Sequence, residues 1–184
     1  MELRPALQIK TVIKAMTDVV LPAVAADNKL AQEQVRLVIG MLHLVAQRLP
    51  LMYRYDRDEL LRFLALAETL KSQAKGLPGA DEAMYALSTS VEVGEDVLER
   101  ARAEPSELEA ANFDLREKIG ALIMAIYATN DMAKLTHISS SVTTHAKGQL
   151  LRERSWLITQ GWEPDPKAIP AIETLIGERP GTRS

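Results

Sequence analysis

Residues 29–49 read KLAQEQVRLVIGMLHLVAQRL, and this stretch decides the predicted fold. Its apolar side chains recur every three or four residues, which is the period of an α-helix. Five of them form one seam, and three more widen the seam until most of the helix circumference is apolar. Such a helix usually lies at the centre of a helical protein, so we expect it to be buried on several sides. The seam consists of Val35, Val38, Leu42, Val45 and Leu49, widened by Leu37, Met41 and Leu44.

A polar stripe on this predicted helix is the candidate binding groove of the chain. Because Gly40 has no side chain, a ligand or another backbone could approach the helix closely there. The stripe either reaches solvent along a narrow strip or lines a groove for a ligand or a partner, and the sequence leaves both alternatives open. The groove residues are Arg36, Gly40, His43 and Gln47, and the stripe also includes Lys29 and Glu33.

Helices are predicted on both sides of this stretch. Pro5 suits the first turn of a helix, and Pro22 should end or kink that helix at the preceding residue. After the central helix, Asp56 is expected to cap a third helix, with Glu59 completing a capping box three residues later. A clear turn at residues 76–79, Gly-Leu-Pro-Gly, separates the third helix from the next.

The second half of the chain carries the longest helical pattern. A fourth helix is predicted from residue 81 to about residue 103, and no proline follows Pro105 until after residue 160. One unbroken helix from there would span roughly 80 Å, so we expect a break. Its predicted place is residues 129–131 or residues 139–144, where helix propensity is poorest. The predicted fold class is therefore all-α, an antiparallel bundle of about six helices with a short C-terminal helical arm.

The predicted domain organisation is a helical bundle over residues 1–162 and a proline-rich arm over residues 163–184. The arm contains one short helix whose apolar face is too small to stand alone in water. It must therefore fold back on its own bundle or cross to a second copy of the chain. We expect the second alternative, a homodimer formed through the arm. The apolar face consists of Ile172, Leu175 and Ile176.

The composition excludes several kinds of partner. The net charge is −3 and aromatic residues make up 4% of the chain, whereas binding to nucleic acid or to anionic membranes favours a basic excess. The longest nearly apolar run, residues 120–128, has about half the length that a membrane-spanning helix needs. We therefore expect no nucleic-acid partner and no membrane partner. With no cysteine and no secretory signal visible, a cytoplasmic location is predicted.

Metal binding and cofactor binding are not expected. The three histidines are His43, His137 and His145. The last two are eight residues apart, roughly 12 Å along a helix, so they cannot share an ion directly. No histidine follows a glutamate at the spacing that di-iron bundles use. No glycine-rich phosphate loop is present either.

Catalysis has little support in the residue pattern. The serines at 139–141 lie near two histidines, but no Gly-x-Ser-x-Gly elbow surrounds them, and serines in helices commonly bond to the preceding turn. A basic cluster of Lys147, Arg152 and Arg154 could meet a phosphate or coenzyme A. We expect this cluster to be an exposed helix face instead, and we assign no catalytic residue.

The first third of the chain resembles a known kind of protein. Its residues 8–14 (QIKTVIK), 20–24 (VLPAV) and 42–49 (LHLVAQRL) are similar in layout to small helical proteins of unknown fold and role. Those proteins are encoded beside phosphotransferase-like kinases that act on hydroxyacyl-coenzyme A substrates in bacterial acid catabolism. The resemblance implies an accessory subunit of such a kinase. It carries no functional residue over to this chain.

Two functions of different classes follow from these patterns. The leading one is a non-catalytic helical accessory subunit that acts through protein contacts, within an acyl-coenzyme A kinase system if the resemblance holds. The alternative is a small-molecule binding module with an enclosed apolar cavity between helices. An enzyme with an unrecognised site is a third alternative. The first predicts an extended exposed surface, and the second predicts a cavity approached by a few polar groups.

Overall fold

All regular structure in the described part of the chain is helical, as a computed structural model of residues 4–100, 102–129 and 131–177 shows. Within those residues six helices have more than ten residues, which confirms the predicted all-α class. The long helices are α1 (Pro5–Ala15), α3 (Lys29–Arg48), α4 (Met52–Ala74), α5 (Asp81–Glu99), α6 (Pro105–Ala128) and α7 (Met132–Leu157), and the short ones are α2 (Leu21–Ala23) and α8 (Ile172–Leu175).

The helices group into two compact units. The first unit comprises Met1–Met52 and Glu153–Ile172, and the second comprises Tyr53–Arg152 and Glu173–Ser184. Each unit thus combines segments that are distant in the sequence. The predicted domain boundary between residues 162 and 163 coincides with none of the three points at which the chain passes from one unit to the other, and it stays a prediction.

In the first unit, the chain turns where Pro22 and Asn28 stand. A π-helical turn, Met16–Val20, follows α1, and the three-residue α2 ends in an extended residue, Val24. A proline inside a helix lacks the N–H that the ladder needs, so the helix is irregular before Pro22 and ends at Ala23, one residue after it. Asn28 Oδ1 accepts a hydrogen bond from the Ala31 N–H at 3.1 Å and caps α3, as the sequence predicts.

The prediction that α3 is a buried central helix is wrong. Val38 is 46% exposed, Val45 is 43% exposed, and Leu42 between them is only half-buried. Among the α3 residues, Leu44 and Arg48 are the buried ones. The apolar period shows that these side chains share a face, but it does not show that the same chain supplies a partner for that face. In the first unit α3 packs on α1, α2 and short segments, which leave much of it uncovered.

The start of α4 also differs from the prediction. A 3₁₀ turn, Leu49–Leu51, contains Pro50 in its first turn, where a missing N–H is tolerated, and α4 follows at once from Met52. Asp56 therefore lies inside α4 and not at its N-cap. The predicted connector over residues 51–55 is helical instead.

The second unit holds the main hydrophobic core. Polar pairs between α4 and α7, such as Gln73 with Ser141 and Glu59 with Gln149, show that these two helices run antiparallel. The break between α6 and α7 falls at the first of the two predicted places, although Asn130 itself lies outside the described residues. Fully buried core side chains include Leu60, Leu70, Leu87, Leu108, Leu115, Leu122, Ile126 and Ile138.

The described part of the C-terminal arm, up to Gly177, folds back on its own chain. Ile172 and Ile176 are each only 2% exposed. In the second unit, Arg54 donates hydrogen bonds to the carbonyl oxygens of Ile176 and Gly177, and the Gly177 N–H donates to Asp58 Oδ1 at 3.2 Å. This is the first of the two predicted alternatives for the arm. Residues 178–184 of the predicted arm lie outside the described residues.

Candidate functional site

An apolar face of α3 lies open to solvent in the first unit. Leu30, Leu37, Met41 and Val45 follow one another at spacings of seven, four and four residues, which places them on one side of the helix. Val38 flanks them. We call these five residues the exposed α3 face. Nearby positions on α1, the π turn and the start of α4 are also exposed and apolar: Leu7, Val12, Val19, Val20 and Met52.

The predicted groove residues divide between two environments. Arg36, His43 and Gln47 are exposed, and Arg36 Nη2 donates a hydrogen bond to Gln32 Oε1, one turn earlier in the same helix, at 3.3 Å. Gly40 is half-buried, and its carbonyl oxygen accepts a hydrogen bond from Gln160 Nε2 at 3.3 Å. The close approach expected at Gly40 is therefore made by a side chain of this chain. A binding role for the four residues stays a prediction.

A polar cleft opens between α4 and α7 in the second unit. Its volume is about 460 Å³, within the 300–1,000 Å³ typical of small-molecule sites. Helix α4 contributes the charged Arg62, the hydroxyl of Thr69 and an apolar patch. Helix α7 contributes Thr144, His145 and neighbouring serines. The residues that line the cleft include Arg62, Leu66, Thr69, Thr144, His145 and Gly148.

Arg62 is the positive charge of the cleft and is fixed at two of its three nitrogen atoms. Nε donates to Asp58 Oδ2 at 2.7 Å, and Nη2 donates to the Leu175 carbonyl oxygen at 2.8 Å. Nη1 lies on the Gly148 side, 3.9 Å from the point where a β-carbon of Gly148 would stand. Two anchored nitrogens hold the guanidinium in place while its third nitrogen is left to the cleft.

His145 adds an uncharged imidazole to the wall of the cleft. Burial, together with the positive charges of Arg62 and Arg152, lowers the pKa of His145 below its ordinary value, so the ring is neutral at pH 7. The ring packs against Phe63, with 5.1 Å between the ring centroids. Its Nε2 is buried and makes no hydrogen bond to the described residues. An unpaired buried polar atom of this kind costs about 1–3 kcal/mol.

A buried charge network lies beside the cleft. The Arg152 side chain is 1% exposed, and its guanidinium carbon lies 4.2 Å from the centre of the Tyr55 ring. Arg152 Nη1 donates to Gln149 Oε1 at 2.6 Å, and Arg152 Nε lies 3.2 Å from Asp58 Oδ2. Asp58 is therefore shared between Arg152 and Arg62. This sharing links the cleft to the buried core of the second unit.

Sequence reasoning missed both the cleft and this network. It treated Arg152 as part of an exposed basic cluster with Lys147 and Arg154, and only the last two are exposed. A usable signal was the spacing of Asp58 and Arg62, four residues apart on one helix, which is the spacing of a helical ion pair. The long-range partner Arg152 gave no such signal.

Metal and membrane features are few in the described part of the chain. No group of three or more metal-binding side chains occurs among the described residues. Length and composition alone would let the helical stretch Lys29–Ala74 cross a membrane, and 17% of its most apolar window is buried. Core helices and signal sequences share this property, so it identifies no membrane protein by itself.

The fold and these sites define an all-helical protein with an exposed apolar helix face and a polar inter-helix cleft. No family model, curated protein or solved structure matches the chain.

Proposed function

We propose that this chain is a non-catalytic helical subunit that acts through protein contacts, made first of all with a second copy of itself. The observation that carries the proposal is the exposed α3 face, where Leu30 is 69% exposed and Leu37 is 51% exposed. Apolar side chains grouped on one helix face and left in water mark protein or membrane contacts. The proposed dimer contact lies on α3 and not on the C-terminal arm, where the sequence predicts it, because Ile172 and Ile176 are already buried.

The charge pattern of α3 favours a second copy as the occupant. Residues 37–47 contain no Asp, Glu, Lys or Arg, so a partner needs no complementary charges there. The same face on a second copy of the chain meets that requirement, and a second copy is present wherever the chain itself is present. Two helical hairpins, each made of α1 and α3, can pack through such faces as a four-helix arrangement.

The apolar area on α3 is of the size that a dimer needs. Covering a half-exposed Leu, Val or Met contributes about 1 kcal/mol. The five residues of the exposed α3 face, counted in both copies, would contribute about 10 kcal/mol, within the range of about 4–15 kcal/mol lost on association. Apolar side chains exposed on α1 and the π turn add to this gain. With Leu7, Val12, Val19 and Val20 counted in both copies, the gain rises to about 18 kcal/mol. Against an association cost of about 10 kcal/mol, the balance of about 8 kcal/mol corresponds to micromolar affinity.

Static light scattering on the full chain tests the proposal. We expect wild-type protein at about 20 μM to show twice the chain mass of 20.3 kDa, as micromolar affinity implies. Val38→Asp should reduce the mass to that of one chain, because it places a carboxylate in the apolar contact. Val93→Asp is the matched control, since Val93 is 53% exposed on α5 of the second unit. Circular dichroism checks that both variants remain helical.

Two outcomes would contradict the proposed dimer: wild-type protein with the mass of a single chain, and dissociation of the Val93→Asp variant. If wild-type protein of single-chain mass also binds phosphatidylcholine vesicles, the exposed α3 face is assigned to a membrane.

The resemblance of residues 8–49 supports a narrower proposal, that the subunit serves an acyl-coenzyme A kinase. It rests on that resemblance alone. Sedimentation velocity of the chain mixed with a purified phosphotransferase-like hydroxyacyl-coenzyme A kinase tests it. A faster joint boundary is expected, and two independent boundaries would remove the kinase from the proposal while leaving the dimer untouched.

A small-molecule binding module remains the second candidate function, and the cleft between α4 and α7 favours it. The cleft differs from the enclosed apolar cavity that the sequence predicts, because Thr69, Thr144 and Arg62 give it polar walls. Its chemistry is specific enough to define a class of ligand.

A further inference from the structure

We propose that the cleft between α4 and α7 binds a small hydroxylated organic anion, whose acidic group pairs with Arg62 and whose hydroxyl groups donate hydrogen bonds to Thr69 and Thr144. This inference does not depend on the proposed dimer, because the cleft lies wholly within the second unit. It rests on the charge of the cleft, on the hydrogen-bonding state of its hydroxyls and on its size.

The acidic end of the ligand follows from Arg62. With Nε on Asp58 and Nη2 on the Leu175 carbonyl oxygen, the guanidinium is held in one orientation before any ligand arrives. Nη1 lies beside Gly148, where the lack of a side chain leaves space in front of it. A carboxylate or phosphate oxygen is the usual partner of an arginine N–H presented in this way.

The hydroxyl groups of the ligand follow from Thr69 and Thr144. Each threonine hydroxyl donates its hydrogen to a carbonyl oxygen one turn earlier in its own helix, Thr69 to Ala65 and Thr144 to Ser140, at 2.9 Å in both cases. Their oxygens are therefore left as acceptors toward the cleft. A ligand that hydrogen-bonds to both threonine oxygens must carry donor groups, and hydroxyl groups are uncharged donors that an organic anion can carry.

The spacing along the helices limits the length of the ligand. Thr69 lies seven residues after Arg62, roughly 10 Å along α4. Thr144 lies four residues before Gly148, roughly 6 Å along α7. An acyclic acid of about six carbons spans these distances, and the 460 Å³ cleft has room for it.

His145 leaves Arg62 as the charge of the cleft. Burial and the positive charges of Arg62 and Arg152 lower the pKa of His145, so its ring is neutral at pH 7. Arg62 is therefore the lining residue that selects an anion.

Gluconate is the probe that combines both required features, and two analogues separate them. Sorbitol keeps the hydroxyl groups without the charge, and hexanoate keeps the charge without the hydroxyls. Isothermal titration of the full wild-type chain should give saturable binding of gluconate. Sorbitol and hexanoate should each bind at least about tenfold more weakly, because each loses one of the two sets of bonds. Glucose 6-phosphate carries a phosphate on a sugar that is mainly a closed ring, and it shows whether a phosphate on a cyclic sugar is also bound.

Gly148→Leu tests the place of binding without weakening the fold. Leucine fills the space before Arg62 and has a higher helix propensity than glycine, so the melting temperature without ligand should stay equal or rise. Gluconate affinity should fall by about tenfold or more, since the side chain occupies the ligand site. Gly120→Leu on α6 is the matched control, because a β-carbon there meets nothing within 4 Å.

The proposal is overturned by any of three results. One is the absence of saturable binding of both gluconate and glucose 6-phosphate up to about 20 mM, a weaker affinity than a specific site provides. Another is gluconate binding by Gly148→Leu that equals that of Gly120→Leu. Binding of sorbitol as tight as that of gluconate would also overturn it, because Arg62 would then have no role.

Discussion

Arg152 Nε lies 3.2 Å from Asp58 Oδ2, with the arginine side chain 1% exposed and the aspartate side chain 12% exposed. Asp58 also accepts from Arg62 and from the Gly177 N–H, so one carboxylate joins α4, α7 and the C-terminal arm within the second unit. Removing Arg152 takes one of two arginine partners from this carboxylate, together with the hydrogen bonds that Arg152 donates to Gln149 Oε1 and to the Tyr55 carbonyl oxygen. Such a loss is far larger than that of an exposed pair.

Arg152→Ala should therefore destabilise the protein by about 3–5 kcal/mol in urea unfolding. The loss has two sources: the Asp58 carboxylate loses a partner, and the side chain on Tyr55 leaves a cavity. Lys147→Ala is the control, because Lys147 is an exposed basic residue on the same helix. It should leave the unfolding midpoint almost unchanged. Equal effects of the two substitutions would show that Arg152 is not buried as described.

Asp56 should make stability depend on pH. Burial raises the pKa of Asp56 to about 6 from its ordinary value of 3.8, with Glu59 and Glu109 adding to the rise and Arg152 opposing it. Because the folded state holds this proton more tightly than the unfolded state, ionisation of Asp56 destabilises the fold as pH rises from about 4 to about 6.

Asp56→Asn removes the buried charge and should be more stable than wild type at pH 7. After allowance for solvent screening, the gain should be about 1–2 kcal/mol, and it should almost vanish near pH 3, below both pKa values, where Asp56 is mostly protonated in both states. Urea unfolding at the two pH values measures the difference. Glu92→Gln, at an exposed carboxylate on α5, tests whether loss of any negative charge has the same effect. A gain that persists undiminished at pH 3 would rule out the ionisation of Asp56 as its cause.

At Gly94, α5 lies close to leucine side chains of α4 and α6. A β-carbon there would lie 3.2 Å from Leu64 Cδ2 and 3.3 Å from Leu115 Cδ1. Both leucines are packed in the core, so overpacking in Gly94→Ala should cost about 1–3 kcal/mol. The higher helix propensity of alanine offsets up to about 1 kcal/mol of this cost. Gly120→Ala has open space and should be stabilising. Thermal unfolding compares the two, and a Gly94→Ala variant as stable as Gly120→Ala would contradict the close packing.

The C-terminal arm should contribute to the free energy of unfolding, and it should not be the contact that holds the dimer together. Ile172→Ala removes a side chain that is 2% exposed and should cost about 2–5 kcal/mol. The exposed neighbour Glu173→Ala serves as the control and should change stability little. Light scattering of folded Ile172→Ala should give the wild-type mass. A lower mass would favour the arm as the dimer contact, as the sequence predicts.

The sequence by itself determined the helices and most of their ends. The 3.6-residue apolar period can be recognised without knowing which helix packs against it. Glycine and asparagine end or cap a helix through contacts within one turn. The start of α5 at Asp81, the Asn28 cap and the break after α6 were therefore predictable. Gly161 also ends the last helical turn in the left-handed conformation, with a φ of 74°, as its position predicts.

Only the tertiary structure decided which helix faces are covered and where charges are buried. Val38 and Val45 carry a clear apolar period, yet they are exposed, because burial depends on a neighbouring surface that periodicity does not encode. Arg152 lies in a basic stretch that suits solvent. Its burial depends on Asp58, 94 positions earlier in the sequence, brought close by the antiparallel packing of α4 and α7. Local signals fix local structure, whereas the cleft and the charge network arise from contacts between residues that are distant in the chain.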